Sequence, residues 1–147
     1  MRYEIETNST EETLSFAKGL AQCAQPGDIF CLTGDLGTGK TVIAKGLGQG
    51  LGVEANISSP TFTIVNEYDE PGQKMPFYHF DVYRIFHMEE MDDTGYEEYF
   101  YSCGVCLIEW AEIIMEIVPQ GAVWITIQKD LGISEEYRKI TVCRTGA

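Results

Sequence analysis

The stretch at 34–41, GDLGTGKT, restricts the fold of this chain more than any other part of its sequence. It follows an apolar run at 29–32 that does not alternate with polar residues, which is typical of a strand buried on both faces. It precedes a helical pattern from about Lys40 to Leu51. The sequence therefore predicts a buried strand, a glycine-rich turn and a helix in succession, as in a sheet covered by helices.

The same stretch matches the pattern G-x-x-x-x-G-K-[ST], in which each fixed residue has a chemical task. Glycines let backbone N–H groups point inward at phosphate oxygens, and the N-terminus of the following helix favours an anion. The Lys40 ammonium would neutralise the β- and γ-phosphates of a nucleotide, and the Thr41 hydroxyl would bind Mg²⁺. We therefore expect a nucleoside triphosphate with Mg²⁺ to bind here. The predicted contact residues are Asp35, Leu36, Gly37, Thr38, Gly39, Lys40, Thr41 and Val42.

Two carboxylates stand where a magnesium-bound triphosphate needs an acidic partner on a neighbouring strand. Asp81 lies inside the strand-like run 77–84, and Glu109 ends the apolar run 105–109. An acid at the end of an apolar strand fits a phosphate site, because the carboxyl ends of strands line the ligand crevice. For Glu109, the alternative is a structural role as a cap for the helix that follows. The predicted catalytic residues are Lys40, Asp81 and Glu109, and the predicted metal ligands are Thr41, Asp81 and Glu109.

Two further polar residues stand near these groups in the sequence. Thr61, in the run Ser59-Pro60-Thr61, precedes a strand, and in nucleotide switches a hydroxyl there can reach the metal or the γ-phosphate. On its own, this threonine would fit a turn or a helix cap better. His79 is two residues from Asp81 and so shares its strand face, but a satisfied core histidine is the better interpretation.

The charge balance of the chain is strongly acidic, with 23 Asp and Glu against 10 Lys and Arg and a net charge of −13. Such a surface repels phosphate chains, so independent binding to nucleic acid is not expected. It suits a protein partner with a basic face, although solubility alone would also explain it.

The sequence has no signal-peptide pattern and no apolar run near the roughly 18 residues that span a bilayer. Five cysteines, an odd number spread through apolar stretches, are typical of reduced thiols in a cytoplasm. Cys103 and Cys106 have the spacing of a metal or redox pair, but they stand alone and run into a buried strand, which favours a structural role. We therefore expect a cytoplasmic protein that does not bind membranes.

The remaining patterns predict one α/β domain over 1–147, a mixed central sheet flanked by helices and carrying antiparallel hairpins. Ser9 and Glu12 form a capping-box signal for a helix that ends before Pro26-Gly27. Alternation predicts two hairpins, one from 62–68 and 77–84 and the other from 122–129 and 139–145, joined across 130–132. The other predicted elements are a strand at 3–6, a loop or short helix at 88–94, a short helix at 96–101, and a helix at 111–118 ended by Pro119.

Four motifs occur along the chain in the order of one known family. They are GDLGTGKT at 34–41, SPTF at 59–62, YHFDVYR at 78–84 and IEW at 108–110. Over essentially the full chain they resemble the bacterial TsaE (YjeE) family, the ATPase subunit of the machinery for the tRNA threonylcarbamoyladenosine (t6A) modification. The resemblance implies a P-loop NTPase-like fold.

The resemblance also implies ATP binding with Mg²⁺, weak ATP hydrolysis and work inside a complex with TsaD-like and TsaB-like proteins. That complex transfers a threonylcarbamoyl group to adenosine 37 of tRNAs that read codons beginning with A. Contact with tRNA would therefore be only indirect, through the complex.

Carried over by position, the family's functional groups fall on residues already singled out and on one more. Lys40 and Thr41 would serve phosphate and metal, Thr61 would be a switch-like contact, Asp81 and Glu109 would position metal or water, and Trp110 would lie beside the nucleotide. Two residues depart from the commonest pattern. Thr38 replaces the usual Ala, and Val42 replaces a hydroxyl residue, which would move one phosphate contact onto backbone groups.

Two other functions share the phosphate loop. A small-molecule P-loop kinase would bring arginines over the phosphates from a lid, and no arginine-rich segment between two helices is present. A non-hydrolysing, nucleotide-gated binding module would use ATP only to shape a docking face. The absence of an N-K-x-D string weakly favours adenine over guanine.

Overall fold

The computed structural model describes residues 1–34, 39–60 and 63–144, and within these ranges seven strands form one sheet. The strands are β1 (Arg2–Thr7), β2 (Ile29–Gly34), β3 (Val65–Tyr68), β4 (Phe77–Asp81), β5 (Val105–Glu109), β6 (Val123–Lys129) and β7 (Arg138–Arg144). The helices are α1 (Thr10–Cys23), α2 (Lys40–Gly50), α3 (Glu89–Asp92), α4 (Tyr96–Phe100) and a 3₁₀ segment (Ala111–Ile117). In the part of the chain just described, no helix is long and apolar enough to cross a membrane.

The sheet has the order β1-β7-β6-β2-β5-β4-β3. Its middle is parallel, because β2 pairs in parallel with both β5 and β6, and β5 pairs in parallel with β4. Both predicted hairpins are confirmed, since β3 pairs antiparallel with β4 and β6 pairs antiparallel with β7. The expected mixed α/β fold is therefore confirmed, with the carboxyl ends of β2, β4, β5 and β6 at one edge.

The first helix begins at the predicted capping signal. The Ser9 hydroxyl accepts a hydrogen bond from the Glu12 backbone N–H at 3.1 Å, and the Glu12 carboxylate accepts one from the Asn8 N–H at 2.9 Å. The second bond reaches one residue further back than in the usual capping box. The first bond satisfies an N–H group that the start of a helix leaves without an intrahelical partner, and the second ties the residue before the N-cap to the first turn.

Helices α1 and α2 pack against each other through small residues. A Cβ atom placed on Gly46 would lie 2.4 Å from the Cβ of Ala17, and one on Gly50 would lie 2.5 Å from the Cβ of Ala21. The two alanines are fully buried. Glycine in α2 therefore permits a close approach of the helix axes, a feature that we did not predict.

The two faces of the sheet bury separate cores. One core lies under α1 and α2, and the other lies under α3, α4 and the 3₁₀ segment. Strand β5 contributes to both, because Val105 and Leu107 belong to the first core while Cys106 and Ile108 belong to the second. The buried, non-alternating strands predicted at the centre of the sheet are confirmed for β2 and β5.

Several elements differ from the prediction in their bounds or type, and β3, for example, begins at Val65 instead of at 62. Strand β4 ends at Asp81 instead of Arg84, because the Asp81 carboxylate accepts a hydrogen bond from the Tyr83 N–H and turns the chain there. The helix expected at 111–118 is a 3₁₀ segment with a kink at Ile114. Its buried positions, Ala111 and Ile114, are three residues apart, a spacing that a 3₁₀ turn places on one side. The connection between β6 and β7 spans 130–137, one residue shorter than the predicted strands leave, because β7 begins at Arg138.

Cys103 and Cys106 are both free thiols, and they differ in their burial. Cys106 is buried in β5, and its thiol lies 3.3 Å from the Tyr99 carbonyl oxygen as a hydrogen-bond donor. Burial raises the pKa of Cys106 to about 12, which keeps the thiol protonated and unreactive. Cys103 is an exposed free thiol. The structural role expected for Cys106 agrees with these observations.

Candidate functional site

A cavity of about 420 Å³ opens where the carboxyl edge of the sheet meets the start of α2. Most of the predicted site residues that the structure describes lie around it. Val42 does not line this cavity, and Asp35, Leu36, Gly37, Thr38 and Thr61 lie outside the described residues. The cavity is lined by Gly39, Lys40, Thr41, Ser59, Asp81, Glu109, Trp110 and Arg138.

The start of α2 is set by a glycine. Gly39 has a φ of 100° and a ψ of 25°, a left-handed conformation that favours glycine, and its carbonyl accepts hydrogen bonds from the N–H groups of Val42 and Ile43. The helix then begins at Lys40, so its N-terminal end, with its partial positive charge, faces the cavity. The glycine pattern of the sequence thus places Lys40 and Thr41 at the cavity wall.

Lys40 is 7% exposed, and its ammonium lies 3.5 Å from the centre of the Trp110 ring. An ammonium at this distance over an indole face is attracted by the ring quadrupole, by about 1–2 kcal/mol when water is largely excluded. Trp110 has a φ of 62°, and its backbone N–H donates a hydrogen bond to the Leu32 carbonyl oxygen at 3.2 Å. Its ring also contacts Tyr83, with 4.8 Å between centroids. The indole is therefore held at the cavity beside the lysine.

Asp81 and Glu109 are brought together by strand pairing. They are direct neighbours in the parallel register of β4 and β5, and both line the cavity. Burial raises the pKa of Asp81, a hydrogen bond from the Tyr83 N–H acts in the opposite direction, and the negative charge of Glu109 raises it further. Two neighbouring carboxylates in a partly buried cavity are an electrostatic arrangement that a cation would relieve.

The Glu109 side chain does not face the segment after it. It is 4% exposed, and its Oε2 atom lies 3.1 Å from the Ser59 hydroxyl and 2.6 Å from Nε2 of His79. The 3₁₀ segment has Trp110 at its N-cap position, with no side-chain cap bond. The alternative role of Glu109 as a helix cap is therefore wrong.

Sequence reasoning gave no site role to three residues that the structure brings to this region. Ser59 and His79 contact Glu109, and Arg138 lines the cavity from the first position of β7. The Nη1 atom of Arg138 donates hydrogen bonds of 2.7 Å to the carbonyl oxygens of Glu135 and Tyr137. The second hairpin was the sequence signal that could have indicated Arg138. Strand β6 runs parallel to β2, so its antiparallel partner β7 begins at the edge of the sheet where β2 ends.

A second, larger cavity adjoins the first. Its volume is about 720 Å³, and it shares Asp81 with the smaller cavity. Its walls come from the segment 63–65, the turn after β4 and helix α3, and they include Arg84 and Asp93. The sequence gave no sign of this space, which depends on how the turn after β4 packs against α3.

The described residues provide few metal ligands from protein side chains. Within 1–34, 39–60 and 63–144, no group of three or more His, Cys, Asp or Glu is placed to hold a metal ion. The candidate ligands at the cavity are two carboxylates, Asp81 and Glu109, and the hydroxyl of Thr41. Such a set suits a cation that takes most of its ligands from water and from a bound anion.

Comparisons with known proteins agree with the four sequence motifs. The family described as "Threonylcarbamoyl adenosine biosynthesis protein TsaE" matches residues 7–140. The chain is 44% identical over 140 residues to the "tRNA threonylcarbamoyladenosine biosynthesis protein TsaE" of Bacillus subtilis (strain 168), an alignment that covers 95% of this chain and 84% of that protein. It is 35% identical over 136 residues to the protein of the same name from Treponema pallidum (strain Nichols), covering 92% and 96%.

The solved structures give the same answer for the fold. The crystal structure of Bacillus subtilis YdiB superposes with a TM-score of 0.79 and 40% sequence identity, covering 99% of this chain and 87% of that one. The family matches nearly the whole chain, and the relatives are well above 30% identical over most of their lengths. The resemblance drawn from the sequence is confirmed: this chain belongs to the TsaE family.

Proposed function

We propose that this chain binds ATP with Mg²⁺ in the 420 Å³ cavity and hydrolyses it slowly, in support of t6A biosynthesis on tRNA. One observation carries the proposal. Lys40 and Thr41, at the start of a helix that follows a glycine-rich loop, face the neighbouring carboxylates of Asp81 and Glu109 across one cavity. Phosphoryl transfer depends mainly on positioning and charge, and these four groups supply both.

The charges at the cavity fit a triphosphate with its metal ion. The α2 N-terminus, the Lys40 ammonium and the Arg138 guanidinium attract phosphate oxygens. Mg²⁺, when bound, neutralises charge on the β- and γ-phosphates. The Thr41 hydroxyl and the carboxylates of Asp81 and Glu109 would hold it directly or through water, and this small protein ligand set suits a cation that keeps several waters.

Each remaining group has a part that follows from its position. Glu109 would orient the attacking water by accepting a hydrogen bond from it, because its carboxylate is the buried acid at the cavity. Trp110 would lie beside the nucleotide, and its ring contacts Lys40. Arg138 neutralises phosphate charge from the side opposite the acids. The predicted contacts at 35–38, Val42 and Thr61 stay part of the proposal.

The proposed partners are TsaD-like and TsaB-like proteins, and tRNA is reached only through them. The names of the relatives support work in t6A biosynthesis. The net charge of −13 supports a partner surface that is basic. A cytoplasmic location goes with these partners. Hydrolysis by the chain alone is expected to be slow, and faster when the partners are present.

The test compares two lysines of the same helix. Lys40→Ala removes the cavity ammonium, whereas Lys45→Ala removes the same charge from an exposed position of α2. Calorimetric titration with ATP–Mg²⁺ should show at least a tenfold loss of affinity for Lys40→Ala and no more than a twofold change for Lys45→Ala, in line with about 1.5–3 kcal/mol for a charge-assisted contact. No heat of binding to the wild-type chain, with or without partners, would refute the proposal.

Measurements of phosphate transfer and phosphate release distinguish the proposed ATPase from the kinase and from the non-hydrolysing binding module. A small-molecule kinase would transfer the γ-phosphate to an acceptor, and a screen of acceptors would show ATP-dependent phosphorylation. A non-hydrolysing module would keep the same low background of phosphate release when Glu109 is replaced by Ala but would lose partner binding. The proposed ATPase should lose hydrolysis with Glu109→Ala while it still binds ATP.

A further inference from the structure

The buried hydrogen bond between His79 and Glu109 joins a core residue to the proposed catalytic carboxylate. His79 lies in β4 and is 0% exposed, and its Nε2 atom lies 2.6 Å from Oε2 of Glu109. The imidazole ring is stacked on the Phe77 ring, with 6.3 Å between centroids and 20° between planes. The position and plane of the imidazole are therefore fixed by the strand and by the aromatic ring next to it.

The direction of the bond follows from the acceptor. A carboxylate only accepts hydrogen bonds, so the imidazole donates through Nε2–H, either as the neutral Nε2–H tautomer or as the imidazolium. Nδ1 is buried and has no hydrogen-bond partner among the described residues. The contact with Glu109 is accordingly the one hydrogen bond recorded for this ring among the described residues.

The two oxygen atoms of the Glu109 carboxylate have different surroundings. Both bonds from described side chains, those of Ser59 and His79, fall on Oε2. The other oxygen, Oε1, receives no hydrogen bond from them, while Glu109 as a whole lines the cavity. Holding Oε2 on two donors fixes the orientation of the carboxylate plane and leaves Oε1 for a water or a cation.

We propose that His79 is a positioning residue that holds Glu109 in the orientation required for ATP hydrolysis. The inference rests on the proposed function, because it assigns His79 a part in that reaction. His79 touches neither nucleotide nor metal and acts only through Glu109. Partners that orient a catalytic carboxylate or a metal ligand typically contribute 10–100-fold to activity.

A purely structural histidine would behave differently. Sequence analysis assigned His79 to the core, and its full burial agrees with that. If filling the core were its only role, any side chain of similar volume would keep the rate. If it positions Glu109, the rate will depend on an N–H donor at this place, and the dependence will vanish once the carboxylate is removed.

The experiment is a double-mutant cycle on the full chain, with ATP hydrolysis measured in the presence of the TsaD–TsaB pair. His79→Met fills the core without a donor, and His79→Gln can bring an amide N–H to about the place of Nε2. Glu109→Gln removes the carboxylate charge. Circular dichroism melting curves establish that each variant is folded. Should His79→Met fail to fold, His79→Asn replaces it, because its amide is too short to reach Glu109.

We expect His79→Met to lower kcat at least tenfold and to leave the dissociation constant for ATP within about twofold. His79→Gln should restore kcat to within about threefold of the wild type. Adding His79→Met to Glu109→Gln should cause no further loss. Equal rates for folded His79→Met and wild type, equal losses for Met and Gln, or additive losses in the double variant would each overturn the inference.

The two proposals fail in distinguishable ways. A wild-type chain that neither binds nor hydrolyses ATP with its partners would refute the proposed function. A wild-type chain that hydrolyses ATP while His79→Met does so at the same rate would refute only the role of His79.

Discussion

The ammonium of Lys40 lies 3.5 Å from the centre of the Trp110 ring, so the lysine of the phosphate loop contacts an aromatic face. A bound triphosphate offers the lysine a stronger, charge-assisted partner. The lysine is therefore expected to leave the indole, and the environment of Trp110 is expected to change when ATP–Mg²⁺ binds.

The chain has two tryptophans, so the first prediction can be read by fluorescence. Trp124→Phe leaves Trp110 as the fluorophore, and ATP–Mg²⁺ should change its emission by at least about 10%, because cation–π contacts depend on close approach. Trp110→Phe, which keeps only Trp124, is the matched control and should respond little. An unchanged Trp110 signal in a protein that binds ATP by calorimetry would contradict the prediction.

The second prediction concerns Asp81 and pH. Burial raises the pKa of Asp81 above its ordinary value of 3.8, so the folded state holds this proton more tightly than the unfolded state. The free energy of unfolding therefore falls as pH rises from 3.8 through the higher, folded-state pKa. Asp81→Asn should raise the melting temperature of the nucleotide-free chain at pH 7, and the gain should shrink toward pH 4.

The control for Asp81 is Asp69→Asn, the same change at an exposed residue of the turn between β3 and β4. It should leave the melting temperature nearly unchanged at pH 7. Asp81→Asn should also weaken the effect of Mg²⁺ on ATP affinity, which separates its stabilising effect from its loss of function. A lower melting temperature for Asp81→Asn would refute the explanation by burial.

The third prediction tests the contact between α1 and α2. Gly46→Ala would put a methyl group 2.4 Å from the Cβ of Ala17 and 2.8 Å from the Leu14 carbonyl oxygen. Since packed backbone cannot move aside easily, the free energy of unfolding should fall by about 1–3 kcal/mol. Gly19→Ala, in α1 with nothing within 4 Å, should instead be neutral or stabilise by up to about 1 kcal/mol. Urea unfolding measures both.

The fourth prediction concerns Arg138. Arg138→Ala should weaken ATP binding about tenfold, because a charge-assisted contact to phosphate contributes about 1.5–3 kcal/mol before solvent screening. Arg144→Ala is the matched control, since it removes the same side chain from the opposite end of β7, where it pairs with Asp28 at 3.6 Å. Calorimetric titration with ATP–Mg²⁺ distinguishes the two. Equal affinities for Arg138→Ala and wild type would remove Arg138 from the proposed site.

The parts of the fold that sequence predicts are those with local signals. Ser9 and Glu12 are three residues apart and start α1 as expected, and alternating side chains identify both hairpins. The glycine pattern at 34–41 locates the start of α2. These features depend on neighbouring residues, so no tertiary contact is needed to find them.

The parts that sequence does not predict depend on distant contacts. The bond between His79 and Glu109 requires the register of β4 against β5, and the position of Arg138 requires the second hairpin to lie next to β2. The 3₁₀ segment differs from the predicted helix because it is kinked at Ile114, a buried residue for which the sequence has no local breaker. The resemblance to the TsaE family compensates for part of this, because it predicts that Asp81, Glu109 and Trp110 belong to one site, and all three line the same cavity.

The pairing of β4 with β5 has a consequence for how the site comes into being. Phe77, His79 and Asp81 alternate along one side of β4, so the register that buries the phenylalanine also sets Asp81 beside Glu109. A slip of one residue would turn every side chain of the strand to the opposite face, so Phe77 and Phe80 would exchange cores and neither would fit the space built for it. The hydrophobic energy that drives folding therefore also selects the register that places Asp81 beside Glu109. A chain that reaches its stable core has its two carboxylates already in place.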